Sequence, residues 1–437
     1  MSRPLVLVPY GERSVAFLQL VAAAEDLCDL AWLVHSDEAD GGVPPRLLRR
    51  FGRVVDGAGK DAAGLADEVA ALGPDGVVAF RDVDLVRTAE LAARLGLPFH
   101  TPAVARRLAD KSEQRRALRA AGLPVPRVWE IPALPDAAFV TDVAARITYP
   151  VVVKPRTGSG SRHTFLVHDA WELRTVLAWL EATPEPLVAE EYLRSRPGAE
   201  RDPFADYVSV ETVADGTGRH HVAVTGRLRP APPFRETGFF IPSTLAASEQ
   251  EDVQALASAA LGALGVEVGC VHTEIKLTPD GPRVLEVNGR MGGGVHEMLQ
   301  VAAGADLLRA CLQVALGEPA GFTGLLDCRR IGYRLFLQPP TSARRVRTID
   351  GLQKVAALPG VDCVSVHLGP GEVVDAREGS RAFVAAVVGC ADTHDEVLAV
   401  DRRMYQLADV VYEHELRPES LPLEGGEPEK GPAEAVA

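Results

Sequence analysis

Between Leu5 and Leu95, short apolar runs alternate with amphipathic stretches, and this alternation restricts the fold more than any other feature. Leu5–Val8, Leu30–Val34, Arg53–Val55 and Gly76–Phe80 read as strands. Ser14–Leu27, Asp61–Leu72 and Val83–Leu95 carry helical periodicity between and after them. Strand–helix alternation at this spacing demands a parallel sheet covered by helices. No GxGxxG follows the first strand, so the dinucleotide fingerprint is absent.

The remaining segments are of a different kind. A charged helix beginning at Asp110-Lys111 stops at Gly122. Val151-Val-Val-Lys154-Pro155 reads as a buried strand and Arg156–His163 as a Gly/Ser loop. Ala170–Leu180 is helical, Leu187–Leu193 is a strand, and Tyr207–Val213 pairs with His221–Gly226 around a Gly-rich turn. Glu251–Leu264 is helical, and Val271–Leu277 with Arg283–Val287 forms a hairpin at Asp280-Gly281. Residues 330–415 form a further α/β segment, and the Pro- and Glu-rich stretch after Arg417 reads as a disordered tail. No internal repeat is visible.

With 437 residues, about three domains are expected. The 46 basic and 60 acidic residues give a net charge of −14, which disfavours nucleic acid and anionic membranes as partners. The six cysteines show no CxxC spacing, so neither a zinc site nor a disulfide framework is expected. The apolar run at Leu5–Val8 is too short for a signal peptide, and no run approaches the roughly 18 apolar residues of a membrane span. The expectation is a cytoplasmic protein.

Several segments could carry chemistry. Lys154 ends an apolar strand and precedes Gly158 and Gly160, a pairing that can neutralise and wrap phosphates. The Walker pattern GxxxxGK[ST] is missing, so this is not a P-loop. Glu286 and Asn288 lie two apart and share one strand face, Arg290 continues that parity, and a paired strand can bring Glu274 beside them. Two carboxylates and an amide oxygen suit Mg²⁺ carrying a nucleotide phosphate. Ordinary salt bridges on a polar hairpin are the competing reading. Glu190-Glu191-Tyr192-Leu193 could offer backbone groups to an adenine edge. Arg227–Gly238, Pro-rich with Arg235 and Glu236, could grip an amino acid; a plain surface strand and loop are the alternatives.

Asp110-Lys111, Val153-Lys154-Pro155, the Gly158/Gly160 loop, Glu190-Glu191-Tyr192 and Glu274…Glu286-Val-Asn288-Gly-Arg290-Met-Gly-Gly293 occur in the order found in the ATP-grasp superfamily. The chain resembles that superfamily over roughly residues 1–415. Pro232-Pro233-Phe-Arg-Glu236-Thr-Gly238 and the extra C-terminal segment are similar to the dipeptide-forming L-amino acid ligases.

The resemblance implies an ATP-grasp fold of α/β class. It would have a Rossmann-like N-terminal domain (1–108), a small lobe (109–188), a large lobe with the metal site (189–329) and a C-terminal α/β domain (330–415), followed by a tail (416–437). It places Lys111, Lys154, Gly158, Ser159, Gly160 and Ser161 on ATP phosphates or the adenine side. Glu190, Glu191, Tyr192 and Leu193 would hold adenine, with Asp206 or Glu191 on the ribose. Glu274, Glu286 and Asn288 would ligate Mg²⁺, usually two ions, with Mn²⁺ as an alternative. Arg290 would steady the transferring phosphate, and Glu236 would face a substrate ammonium group, so Arg290, Lys154 and Glu236 are the catalytic candidates. Gly294 leaves open space where a bulky residue would narrow the pocket.

The implied activity is ATP-dependent joining of a carboxylate to an amine, both from amino acids, through an acyl phosphate. A homodimer is compatible with it. A bicarbonate-using carboxylase is the enzyme rival, although no Met-Lys-Met carrier segment is present. A non-catalytic nucleotide-binding regulator is the rival from another class. Arg290 beyond the metal set argues against it.

Overall fold

The computed structural model describes residues 3–11, 14–35 and 43–414; the expected tail at 416–437 lies outside them. The N-terminal segment forms a parallel sheet in the order Gly52–Asp56, Asp29–Val34, Leu5–Pro9, Gly76–Val77. The last strand is shorter than the apolar run Gly76–Phe80 suggests: only Gly76 and Val77 join the ladder, and the chain turns at Asp82–Asp84, where Arg81 pairs with Asp84 at 2.6 Å. The first helix is also shorter, Phe17–Ala24, and Asp26 beyond it takes a positive φ of 60°.

A four-stranded antiparallel sheet follows in the order Val128–Ile131, Leu187–Glu191, Val151–Pro155, Phe165–Val167. Its outer strands are too short to announce themselves in the sequence. Leu187–Glu191 belongs to this sheet, across the expected division at residue 188. With the helices Ala137–Arg146 and Ala170–Leu180, it encloses a hydrophobic core of its own around Val151, Val153, Phe165 and Leu173.

The largest sheet has eight strands, ordered Gly281–Asn288, Gly269–Thr278, Tyr207–Asp215, Gly218–Arg227, Gly238–Ile241, Ile331–Leu337, Ala385–Ala391, Val361–Val366. One continuous sheet therefore spans the expected large lobe and the C-terminal segment. The helix Ala247–Leu264 packs Val253, Leu256, Ala260 and Leu264 against the first strands of this sheet. Tyr10, Phe17 and Trp32 of the parallel sheet's layer share a core with Met291 and Val295, which follow the hairpin. That packing places the end of Gly76–Val77 beside the hairpin's exit.

No single described helix is long and apolar enough to cross a membrane. A bent pair, Val295–Ala303 with Leu307–Ala315, passes by composition, and it buries Met298, Leu299, Leu308 and Leu312 in the core. A cleft of about 1900 Å³ lies among the parallel sheet's edge, the small sheet and the large sheet.

Candidate active site

The hairpin sets the frame. Thr278 pairs with Gly281, whose φ of 99° needs glycine, and the tight turn between them fixes the register. Glu274 then lies directly opposite Glu286, and His272 opposite Asn288. Both carboxylates reach the cleft, with side chains 24% and 18% exposed. Arg290 lies just past the strand and lines the same cleft. Strand parity thus gathers the expected metal set and its arginine on one wall.

Cations meet these carboxylates. Lys111 Nζ sits 3.0 Å from Glu286 Oε1 and donates to Gly158 O at 2.8 Å. Asp110 explains why Lys111 is there: its side chain caps the helix Lys111–Ala120 by accepting from the backbone of Ser112 and Glu113, and it also receives Arg156 Nε at 2.7 Å. Helix start and glycine loop are thereby fixed to one another. On the other strand, His272 is held between Glu211 at 2.9 Å and Glu274 at 3.3 Å. Burial alone would lower its pKa, but the two carboxylates raise it to about 9. Burial likewise opposes ionisation of Glu274, yet His272 and Arg227 hold it well below the ordinary range.

The donor set suits a hard divalent ion. Among the described residues no three His, Cys, Asp or Glu side chains are placed to hold a metal ion together, so the two glutamates need the Asn288 amide oxygen as the third protein donor. Anionic oxygen donors that remain partly open to a cleft rich in lysine and arginine match a metal–phosphate complex.

Lys154 Nζ pairs with Glu190 Oε2 at 2.8 Å, and Arg115 Nε reaches Glu190 Oε1 at 2.9 Å. Burial pushes the Glu190 carboxyl up, but Arg115 and Lys154 outweigh it and bring it down to about 2. Its side chain is committed to these cations, and its strand is paired on both sides within the small sheet. Glu191 accepts from the backbone of Arg127 at 3.1 Å and lies 3.5 Å from Arg283. Tyr192 and Leu193 line the cleft, as does Asp206, which pairs closely with Lys276.

Glu236 lies beside Glu274, the two carboxylates sharing Arg227. Its Oε1 is 3.2 Å from Nε of Arg227, which is buried between the rings of Tyr207 and Phe239 at 4.8 and 5.2 Å. Burial raises the Glu236 pKa against the pull of Arg227. Arg235 instead donates to Pro232 O and Pro339 O, each at 2.7 Å, so it shapes the loop from behind. Gly294 is open to the cleft, but a Cβ there would lie 2.7 Å from Arg334, which occupies that space and pairs with Glu297 at 2.6 Å.

Several partners escape sequence reading. Asp82, after the parallel sheet, binds Arg290. Ser159 of the glycine loop accepts from Arg381 at 3.0 Å and hydrogen-bonds Asp82. Arg115 and Glu211 buttress the site without any local signal. A polar residue on a helical or strand face reads as surface unless its distant partner is known.

Comparison with known proteins bears on this arrangement. The family model described as "ATP-grasp domain" matches residues 147–298, and that described as "L-amino acid ligase C-terminal domain 2" matches residues 336–413. The chain carries an ATP-grasp domain. Its L-amino acid ligase C-terminal domain begins in the strand Ile331–Leu337 and supplies the last strands of the large sheet. This ATP-grasp chain superposes on the crystal structure of an L-amino acid ligase from Bacillus licheniformis with a TM-score of 0.78 and 23% identity, covering 94% of the chain and 99% of the other. It is 29% identical to the uncharacterized protein y4rH of Sinorhizobium fredii over 71% of its own length and 63% of that protein. It is 32% identical to carnosine synthase 1 of Gallus gallus over 57% of its length, but spans 28% of that enzyme.

Proposed function

We propose that this chain is an ATP-dependent carboxylate–amine ligase that joins two amino acids, giving an amide or dipeptide with ADP and phosphate. One observation carries the reading. Glu274 and Glu286 face each other in register in a cleft that also holds Asn288, Lys111 and Arg290, and Glu236 meets Glu274 across the guanidinium of Arg227. The glutamate pair with its cations suits a metal–phosphate group, and Glu236 suits an ammonium group next to it. The L-amino acid ligase relatives support the same assignment.

A carboxylate is a poor electrophile because oxide would have to leave. Attack of a carboxylate oxygen on the γ-phosphorus breaks the bond to ADP and leaves an acyl phosphate. The neutral amine nitrogen of the second substrate then bonds to the acyl carbon, phosphate departs, and the nitrogen gives up a proton. Lys111, Lys154 and Arg290 supply positive charge where the transferring phosphoryl group gathers negative charge. Glu274, Glu286 and Asn288 would hold Mg²⁺, two ions in this reading with Mn²⁺ as an alternative, and when bound it would supply positive charge to the phosphates. The backbone of Glu190–Leu193 would face adenine. Glu191 and Asp206 both stand within reach of the ribose side, with Asp206 the more buried. The glycine loop excludes water from the acyl phosphate. Small amino-acid substrates and work in the cytoplasm belong to the same reading.

The test is a matrix of amino-acid pairs with Mg²⁺ and ATP, read by phosphate release and product mass. A ligase gives sustained release only when both substrates are present, with a product whose mass is their sum less one water. Turnover that needs bicarbonate and adds its carbon would establish the carboxylase instead, and no turnover with any pair would establish the nucleotide-binding regulator.

A further inference from the structure

The segment Ala376–Ala382 of the C-terminal domain touches both halves of the cleft. On one side it lies against the glycine loop. The backbone N–H of Ser380 donates to Gly160 O at 2.9 Å, and that of His163 donates to Arg377 O at 2.8 Å. Arg381 donates to Ser159 Oγ at 3.0 Å. The approach is so close that a Cβ on Gly379, whose φ is 67°, would fall 2.3 Å from Gly160 O. Only glycine fits there.

On the other side the same segment holds the Glu236 loop. The backbone N–H of Glu236 donates to Ser380 Oγ at 3.0 Å. Gln338 spans the junction, its Nε2 donating to Glu236 O at 2.7 Å and to Ser380 O at 3.2 Å. The segment itself is anchored: Asp375 receives the Arg377 backbone at 3.0 Å and its Nε at 2.7 Å, and the Arg377 guanidinium lies 4.6 Å from the Trp179 ring of the small lobe. One serine therefore bonds both loops, by its backbone to the first and by its hydroxyl to the second.

We propose that Ser380 is a positioning residue that ties the glycine loop over the nucleotide to the loop carrying Glu236, so that nucleotide binding orders the amino-acid pocket. It rests on the ligase reading only in naming Glu236 as the substrate-facing acid. The physical basis is a shared rigid element. A loop pressed down on Gly160 restrains Ser380, and a restrained Ser380 keeps its acceptor oxygen on the Glu236 amide, which fixes the backbone from which the carboxylate extends. Coupling of this kind between two sites commonly amounts to about 5-fold or more.

The Glu236 amide is itself the reporter. Hydrogen exchange on the full chain, with and without a non-hydrolysable ATP analogue and Mg²⁺, should show slower exchange in two peptides of the wild type. One covers residues 156–163 and the other Glu236, the latter slowed about 5-fold or more. In Ser380→Ala the first protection stays, because the backbone bond to Gly160 is intact, while the second is lost. Ser380→Thr keeps an oxygen and restores it. In steady-state assays Ser380→Ala raises the amino-acid KM and leaves the ATP KM in place. Equal protection of the Glu236 peptide in wild type and Ser380→Ala would overturn the proposal, as would a wild type in which the analogue protects the loop alone. Exchange needs no turnover, so a failed ligase assay and a failed coupling are read separately.

Discussion

Arg290 and Asp82, separated by 208 positions in the chain, are joined by two hydrogen bonds of 3.0 and 2.8 Å to a single carboxylate oxygen. The bond ties the exit of the hairpin to the end of the N-terminal parallel sheet. Burial raises the Asp82 carboxyl, but Arg290, Ser159 and Lys111 together hold it below the ordinary range. Arg290 is thus aimed by a residue of another layer, and the N-terminal segment shares in building the cleft.

Arg290→Ala should lower kcat by about 10²–10³-fold while leaving ATP affinity largely intact, because an oriented charge acts mainly on the transferring group. Asp82→Ala should cost less, about 10-fold in kcat, since the arginine remains but loses its aim. Neither residue belongs to the apolar core, so both variants should melt near the wild-type temperature. Parallel measurement of melting, nucleotide affinity and amide formation checks this. Normal turnover in Arg290→Ala would remove it from the mechanism.

Glu236→Gln should raise the amino-acid KM far more than the ATP KM, because it removes the charge partner of one substrate only. Its buried partner Arg227 keeps Glu274 at 3.6 Å, so the arginine is not left without a counter-ion. Initial rates against each substrate in turn decide the matter, and an unchanged amino-acid KM would move Glu236 out of the pocket.

The hairpin was legible from sequence because its information is local. Period-two parity aligned Glu286 and Asn288, and Asp280-Gly281 announced the turn that returns Glu274. The parallel sheet was legible for the same reason. What escaped was long-range. The helix Lys111–Ala120 reads as a charged surface helix, yet Lys111, Ser112, Gln114 and Arg115 are buried. Their partners, Glu286, Val287 and Glu190, lie 75 to 175 positions away, and hydrophobic periodicity carries no trace of a buried polar face. Ser380 and Asp82 were missed on the same ground. Nothing in their neighbours marks them until the fold places Gly160, Glu236 and Arg290 against them.

Asp401 should destabilise the chain at neutral pH. It lies on the helix His394–Leu407, and its Oδ1 is buried without a hydrogen-bond partner. Burial pushes its carboxyl up from 3.8 to about 6, only partly opposed by Arg402. The native state therefore holds its proton to higher pH than the unfolded state does, and stability falls as pH rises from about 4 to about 6. Asp401→Asn should recover up to about 3 kcal/mol at pH 7 and nothing at pH 3. Urea unfolding at both values checks the sign. An Asn variant less stable than wild type at pH 7 would show that the carboxylate is satisfied.

Glu190 should behave in the opposite sense. Its native pKa lies near 2 rather than 4.5, because Arg115 and Lys154 bind the anion strongly enough to overcome burial. Between these values the unfolded state takes up the proton first, so stability present above about pH 4.5 is lost as pH falls toward 2. That difference corresponds to about 3 kcal/mol. Glu190→Gln removes the anion at every pH and leaves Arg115, buried and fully charged, without its carboxylate. The variant should be less stable than wild type by about 3 kcal/mol or more at pH 7. The gap should shrink on acidification as the unfolded wild type takes up the proton that the folded state still excludes. Denaturant midpoints of both proteins at pH 7 and pH 3 measure it directly. A gap that stays constant between them would mean that the pair contributes through packing and hydrogen bonds alone, and that Arg115 and Lys154 do not hold Glu190 ionised.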